Sequence, residues 1–362
     1  MKTASTYQAR SARRGSAAAL AAIALLGIAG AGAAAPPKTS ATTSHEPAAL
    51  PSGPRVAEQP VPVPATPEIV TIHIHYRSHT GALRSAVVIV PADYRDGARP
   101  PVPLIISPHG RNLDGETNSH LWGNLPAVGN FVVVNPDGQG NELPRMSWGA
   151  PGQIADLARM PEILEQALPW LRIDRSRIYA FGGSMGGQES LLLAARYPEL
   201  LAGVAAFDSV TDFARQYGNF PRLGCNAQCL AQLGAPLGTL LRKLARRELR
   251  GTPATAPAEY AQRSPLTYAQ RLAASSVRLQ IWWSTTDRIV IDPNRQSGQL
   301  LETLRRLGPN ARVEGFRGTW IHTAAFRADR RLPLALARFG LMPEQFDQRP
   351  AALDYLPVPA SS

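Results

Sequence analysis

The sequence predicts an α/β fold with a doubly wound, mostly parallel sheet, opened by an antiparallel hairpin and interrupted by one cap insertion. Three observations carry that expectation. Short, continuous apolar runs recur at residues 102–107, 131–135, 178–181, 204–207 and 279–284, the pattern of strands buried on both faces of a parallel sheet. Helical periodicity lies between several of them. Ahead of them, two strand-like segments flank a turn and read as a hairpin.

Taken in order, residues 1–33 read as an export signal. Lys2, Arg10, Arg13 and Arg14 precede an uncharged apolar run over 17–33, and Ala31-Gly32-Ala33 offers the small residues that a signal peptidase needs. The Arg13-Arg14 pair suits twin-arginine export, although Gly15-Ser16-Ala17 lacks the usual bulky apolar partner. An uncleaved anchor is the alternative, disfavoured by the Ala and Gly content of the run. Loss of the signal takes the formal charge from +11 to +7, so the exported chain stays basic, a property that bears on steering and not on fold. Residues 34–66, rich in Pro, Ala, Thr and Ser, read as an extended linker. The folded domain is expected over 67–345 and a tail over 346–362.

In the hairpin, Val70, Ile72, Ile74 and Tyr76 alternate with Thr71, His73 and His75, and the turn Ser78-His79-Thr80-Gly81 leads to a partner strand over 86–90. Ile154, Leu157, Ile163, Leu164 and Leu168 describe one helical stretch in which Pro161 marks a kink or a late start. Leu191, Leu192 and Ala195 describe another. Between about 212 and 263 the alternation lapses, and this insertion is expected to cap the carboxyl edge of the sheet, where open α/β sheets place ligands. Its basic residues Arg242, Lys243, Arg246, Arg247 and Arg250 fall largely opposite Leu237, Leu240, Leu241 and Leu244, a solvated helix face. The two cysteines, Cys225 and Cys229, are expected to pair in an oxidising compartment.

The chemistry concentrates at Gly182-Gly183-Ser184-Met185-Gly186, followed by Gly187. A strand over 177–181 runs directly into it and a helical stretch runs out of it as far as Arg196, before Pro198. A nucleophile elbow needs that strand-to-helix turn: the serine takes a strained backbone, and small neighbours such as Gly182 and Gly186 keep strand and helix from colliding. On these residues the chain resembles the α/β-hydrolases.

The resemblance implies a serine nucleophile, Ser184, followed in the chain by an acid and then a histidine. Of seven histidines only His322, in Gly318-Thr319-Trp320-Ile321-His322, follows Ser184. Similar segments in the family place the acid just beyond a late strand, with a Val three residues on. Asp287, ahead of Val290, fits that place, and Asp292 and Asp208 are its rivals. The oxyanion donors implied are the backbone N–H of Met185 and one from Pro108-His109-Gly110-Arg111, either Arg111 or Gly110, with His109 ordering the loop.

Within the family, Gly-Gly-Ser-Met-Gly-Gly and Ser264-Pro265 resemble secreted esterases of the feruloyl-esterase and polyester-depolymerase kind, and also the catalytic domains of prolyl oligopeptidase-like enzymes. The expectation is a secreted serine hydrolase of small or polymeric carboxylic esters. A peptidase or amidase is the alternative, and an idle binding protein on the same scaffold is a third reading. No cofactor or metal is expected, since phosphate-loop, dinucleotide and zinc motifs are missing and His73 and His75 lack a third ligand. No run of basic residues interleaved with aromatics points to nucleic acid, and no membrane contact is expected of the exported form.

Overall fold

The computed structural model describes residues 68–95, 100–308 and 311–357; the expected export signal and linker lie outside the described residues. Nine strands are found there: β1 (Ile69–Arg77), β2 (Leu83–Pro91), β3 (Val102–Ile106), β4 (Val132–Pro136), β5 (Ile173–Gly183), β6 (Gly203–Phe207), β7 (Arg278–Ser284), β8 (Val313–Gly318) and β9 (Asp354–Leu356). They form one sheet in the order β1-β2-β4-β3-β5-β6-β7-β8-β9. From β4 to β8 every pairing is parallel. The β1–β2 hairpin and β9 close the two ends with antiparallel pairings.

Side chains alternate across a strand, so each apolar run supplies both faces of the sheet at once. Ile106, Val134, Ala180, Val204 and Ile281 point into one core, while Ile105, Val133, Phe181, Ala205 and Trp282 point into the other. The helices, in chain order, are α1 (Gly115–Ser119), α2 (Leu125–Gly129), α3 (Pro151–Ala158), α4 (Met160–Ala167), α5 (Met185–Arg196), α6 (Phe213–Asn219), α7 (Ala227–Leu233), α8 (Leu237–Glu248), α9 (Pro257–Gln262), α10 (Ala269–Ala274), α11 (Ser297–Leu307) and α12 (Leu332–Arg338). Helices α3, α4, α5, α10 and α11 contribute to the first core, and α2 and α12 to the second. That two-sided cover makes the sheet doubly wound.

Helices α6 to α9 form the insertion between β6 and β7. They build a third apolar cluster from Phe213, Tyr217, Phe220, Leu241 and Tyr260, closed from below by Trp148, Met185 and Val290. A fully buried ion pair clamps this layer down: Arg263 Nη1 lies 3.3 Å from Glu248 Oε1. The Glu248 carboxylate also accepts from the backbone N–H groups of Asn141, Glu142 and Leu143 at 2.6–3.0 Å, and Arg263 donates to Ser147 O. Cys225 and Cys229 are bonded, with Cα atoms 5.3 Å apart, across the first turn of α7. On α8, Leu237, Leu241 and Ala245 are buried while Lys243, Arg246 and Arg247 are exposed, which is the solvated basic face that its periodicity predicts.

The structure corrects the sequence reading in three places. The helical stretch around Pro161 is two helices, because Pro161 sits in the first turn of α4, where its missing N–H costs nothing. Strand β8 escapes the apolar-run criterion because Glu314, Gly315 and Arg317 interrupt it; Glu314 is nevertheless buried, paired with Arg338 and accepting from Tyr355 Oη at 2.7 Å. Residues 346–362 are not simply a tail, since β9 joins the sheet beside β8. The Tyr355 ring meets Phe316, which stacks on Trp282 at 3.8 Å.

Candidate active site

The parallel strands β3, β5, β6, β7 and β8 all end at one edge, and the loops leaving them carry the candidate residues. Ser184 follows β5 immediately and starts α5. Its backbone sits at φ 58°, ψ −121°, a region costly for a residue with a Cβ, and its N–H is held by Phe207 O at 2.8 Å. The glycines make the turn possible. A methyl group on Gly186 would run into Pro108 O, and one on Gly182 would run into the Gly186 carbonyl.

The loop after β3 is ordered by His109, which is buried between two backbone groups. Its Nε2 accepts from Gly138 N–H at 2.8 Å, and its Nδ1 lies 2.7 Å from Gly110 O. An Nδ1–H tautomer satisfies both contacts. Burial pushes the imidazole pKa down, which outweighs the help from Gly110 O and keeps the ring neutral. Neither Gly110 nor Arg111 N–H has an acceptor among the described residues, and Met185 N–H, at the first position of α5, has no partner within its helix. Arg111, Ser184 and Met185 line one narrow cavity beneath the cap, about 20 Å³ in volume.

Beyond β7, Asp287 is buried. Its Oδ2 lies 2.7 Å from His322 Nδ1, and its Oδ1 accepts from Ile289 N–H at 2.7 Å and Val290 N–H at 3.1 Å. The structure thus brings Asp287 and His322 together. Asp292 is elsewhere, 2.7 Å from Arg222. The Ser184 hydroxyl makes no hydrogen bond to His322 here, yet the loops adjoin: a methyl on Gly183 would lie 3.1 Å from Thr323 Cγ2. Such contacts commonly tighten only when substrate binds.

Asp208, at the end of β6, has a part that sequence reasoning missed. It does not pair with His322 directly; it braces the loop that carries it. Its Oδ1 accepts from Ser284 N–H at 2.8 Å, and its Oδ2 accepts from Trp320 Nε1 at 2.8 Å and Thr323 N–H at 2.9 Å. Burial, and after it the Asp287 charge, pushes this carboxyl up to about 6. Its backbone takes a positive φ of 46°, a feature of the fold that no local sequence pattern announces. Oxygens of Asp208 and Asp287 and a nitrogen of His322 lie within 4.8 Å of one another, but the carboxylates are already engaged by backbone and ring donors, so the cluster is a hydrogen-bonded network.

For His322 itself, burial works against protonation. The Asp287 charge and hydrogen bond, with Asp208 behind them, outweigh it, and the imidazole is raised above its ordinary value. The arrangement holds a histidine with one nitrogen fixed by a carboxylate, on a loop that adjoins the strained turn carrying Ser184.

The fold is that of the α/β-hydrolases. The structure resembles S-formylglutathione hydrolase from Staphylococcus aureus, at 19% identity over 71% of this chain and 93% of that one, with a TM-score of 0.50. It also resembles an esterase from Pyrobaculum calidifontis, at 16% identity over 76% of this chain and 86% of that one, with a TM-score of 0.55. Acylaminoacyl peptidase from Pyrococcus horikoshii is similar at 17% identity over 79% of this chain, TM-score 0.54, but the match spans 43% of the peptidase. No protein-family model matches the chain. Among the described residues no helix is long and apolar enough to cross a membrane.

Proposed function

We propose that the protein is a serine hydrolase that cleaves carboxylic esters through an acyl-enzyme on Ser184. The observation that carries this reading is the 2.7 Å contact between Asp287 and His322, held at the strand edge beside the Ser184 elbow. In the proposed reaction His322 Nε2 takes the Ser184 proton as Oγ attacks the acyl carbonyl, while Asp287 holds Nδ1–H and stabilises the imidazolium. The N–H groups of Met185 and of Arg111 or Gly110 receive the oxyanion. Collapse expels the alcohol, protonated by His322; water activated by the same base then releases the acid and restores Ser184.

The likeness to an esterase, and to a hydrolase of the thioester S-formylglutathione, each over most of its length, supports an ester substrate. The likeness to an acylaminoacyl peptidase keeps amide cleavage as the second reading. Export after loss of residues 1–33 belongs to the same proposal, and the Cys225–Cys229 bond supports an oxidising compartment. A panel of p-nitrophenyl esters and peptide p-nitroanilides, run on wild type and Ser184→Ala, tests it: esters are cleaved by wild type alone. Cleavage of anilides only would overturn the ester assignment, and a folded protein that a fluorophosphonate does not label would overturn the hydrolase.

A further inference from the structure

The cavity over Ser184 is apolar on most sides, walled by Trp148, Met185, Phe213 and Val290. One charged residue, Arg111, is among its lining. Arg111 is partly exposed as a residue, but its Nη1 is sealed from solvent and has no hydrogen-bond partner. No carboxylate lines the cavity. The surrounding acids are committed elsewhere: Asp114 to Arg145 at 3.2 Å, Asp287 to His322, and Asp292 to Arg222. A second lining group is also unsatisfied, since Gln216 gives its Nε2–H to Ile289 O at 2.8 Å and leaves Oε1 without a donor.

A guanidinium lacking a counter-charge in an apolar site is expensive to keep there. Its cost is offset when an anion binds, and the planar fork suits a carboxylate through two parallel hydrogen bonds. Burial alone, with no neighbouring charge opposing it, pushes the Arg111 guanidinium down to about 10, which still leaves it fully charged at neutral pH. The same cation lies close enough to His322 to lower its proton affinity, and Arg111 and Ser184 line one cavity.

Resting on the ester-hydrolase reading above, we infer that Arg111 selects esters carrying a free carboxylate, which its guanidinium binds beside Ser184 as the narrow cavity widens to admit substrate. Arg111 is then a specificity-determining residue through its side chain, separately from any part its backbone N–H plays toward the oxyanion. Gln216 Oε1 favours a hydroxyl or amide N–H on the same substrate.

The test uses matched ester pairs in 0.5 M salt, where surface steering is screened to about the Debye length of a few ångströms. Monomethyl glutarate against methyl valerate places the carboxylate on the acyl side; 4-carboxyphenyl acetate against 4-methylphenyl acetate places it on the alcohol side. Arg111→Gln is expected to lower kcat/KM for the charged member of one pair about tenfold or more beyond its effect on the neutral member, and Arg111→Lys to restore part of the preference. The pair that responds identifies the side. Equal losses for charged and neutral members of both pairs would overturn the proposal. Calorimetric binding of glutarate to Ser184→Ala, with and without Arg111→Gln, separates this proposal from the ester reading. Arg111-dependent binding without ester cleavage would support the anion site and refute the ester reading. Ester cleavage with no Arg111-dependent binding or preference would do the reverse.

Discussion

Ser184 holds a positive φ because Phe207 O fixes its N–H and because Gly186 leaves room for Pro108 O. Substituting Ala at Gly186 is therefore expected to displace the oxyanion loop, lowering kcat with a smaller effect on global stability, as thermal unfolding and steady-state kinetics measured together will show. Asp287→Asn is expected to lower kcat about ten-thousand-fold, because the tautomer that Asp287 selects is lost. A modest loss would move the acid role to Asp208. The proposed base must be unprotonated to act, so kcat/KM rises with pH through the His322 pKa. Asp287 and Asp208 together raise that value above 6.5, which places the acid limb of the profile above pH 6.5. Asp208→Asn removes one of the charges that favour imidazolium and is expected to shift the limb to lower pH; an unmoved limb would show that Asp208 acts only as a brace.

Among the elements, the insertion between β6 and β7 adds one buried charge pair to its apolar cluster. Glu248→Ala would leave the buried Arg263 guanidinium with only the partly exposed Glu259, 3.6 Å away, as counter-charge, and would release three backbone N–H groups at 141–143. The expected loss is about 3–5 kcal/mol, read as a fall in Tm, with a larger cavity at Ser184. The Cys225–Cys229 loop is short, so its reduction is expected to cost about 2 kcal/mol by chain entropy and to loosen α7 rather than the sheet, as hydrogen exchange would reveal. That strand and helix alternation stops over about 212–263 is legible in the sequence. The clamp is not: Glu248 and Arg263 are fifteen residues apart and each looks like a surface residue until the fold seals both. Likewise Glu314 and Arg317 disguise β8, since their partners Arg338, Tyr355 and Asp354 come from α12 and β9.

For the whole molecule, the sheet continues beyond residue 345 to β9, whose Tyr355 covers the Phe316–Trp282 stack. A chain truncated after 345 is expected to unfold at lower temperature and to self-associate, since β8 becomes an uncovered edge; identical melting and a monodisperse profile would show that β9 is dispensable. The sequence by itself determined the layered α/β plan and the elbow, because continuous apolar strands and a glycine-flanked serine are local patterns that short-range sterics enforce. With the residue order that the resemblance implies, it also narrowed the proposed base to His322, the one histidine after Ser184. Only the tertiary structure decided which of Asp208, Asp287 and Asp292 meets that histidine, and left the Arg111 guanidinium unpaired beside Ser184. Those outcomes depend on side chains brought to one sheet edge by separate strands, where burial and neighbouring charge act on groups that share no local pattern.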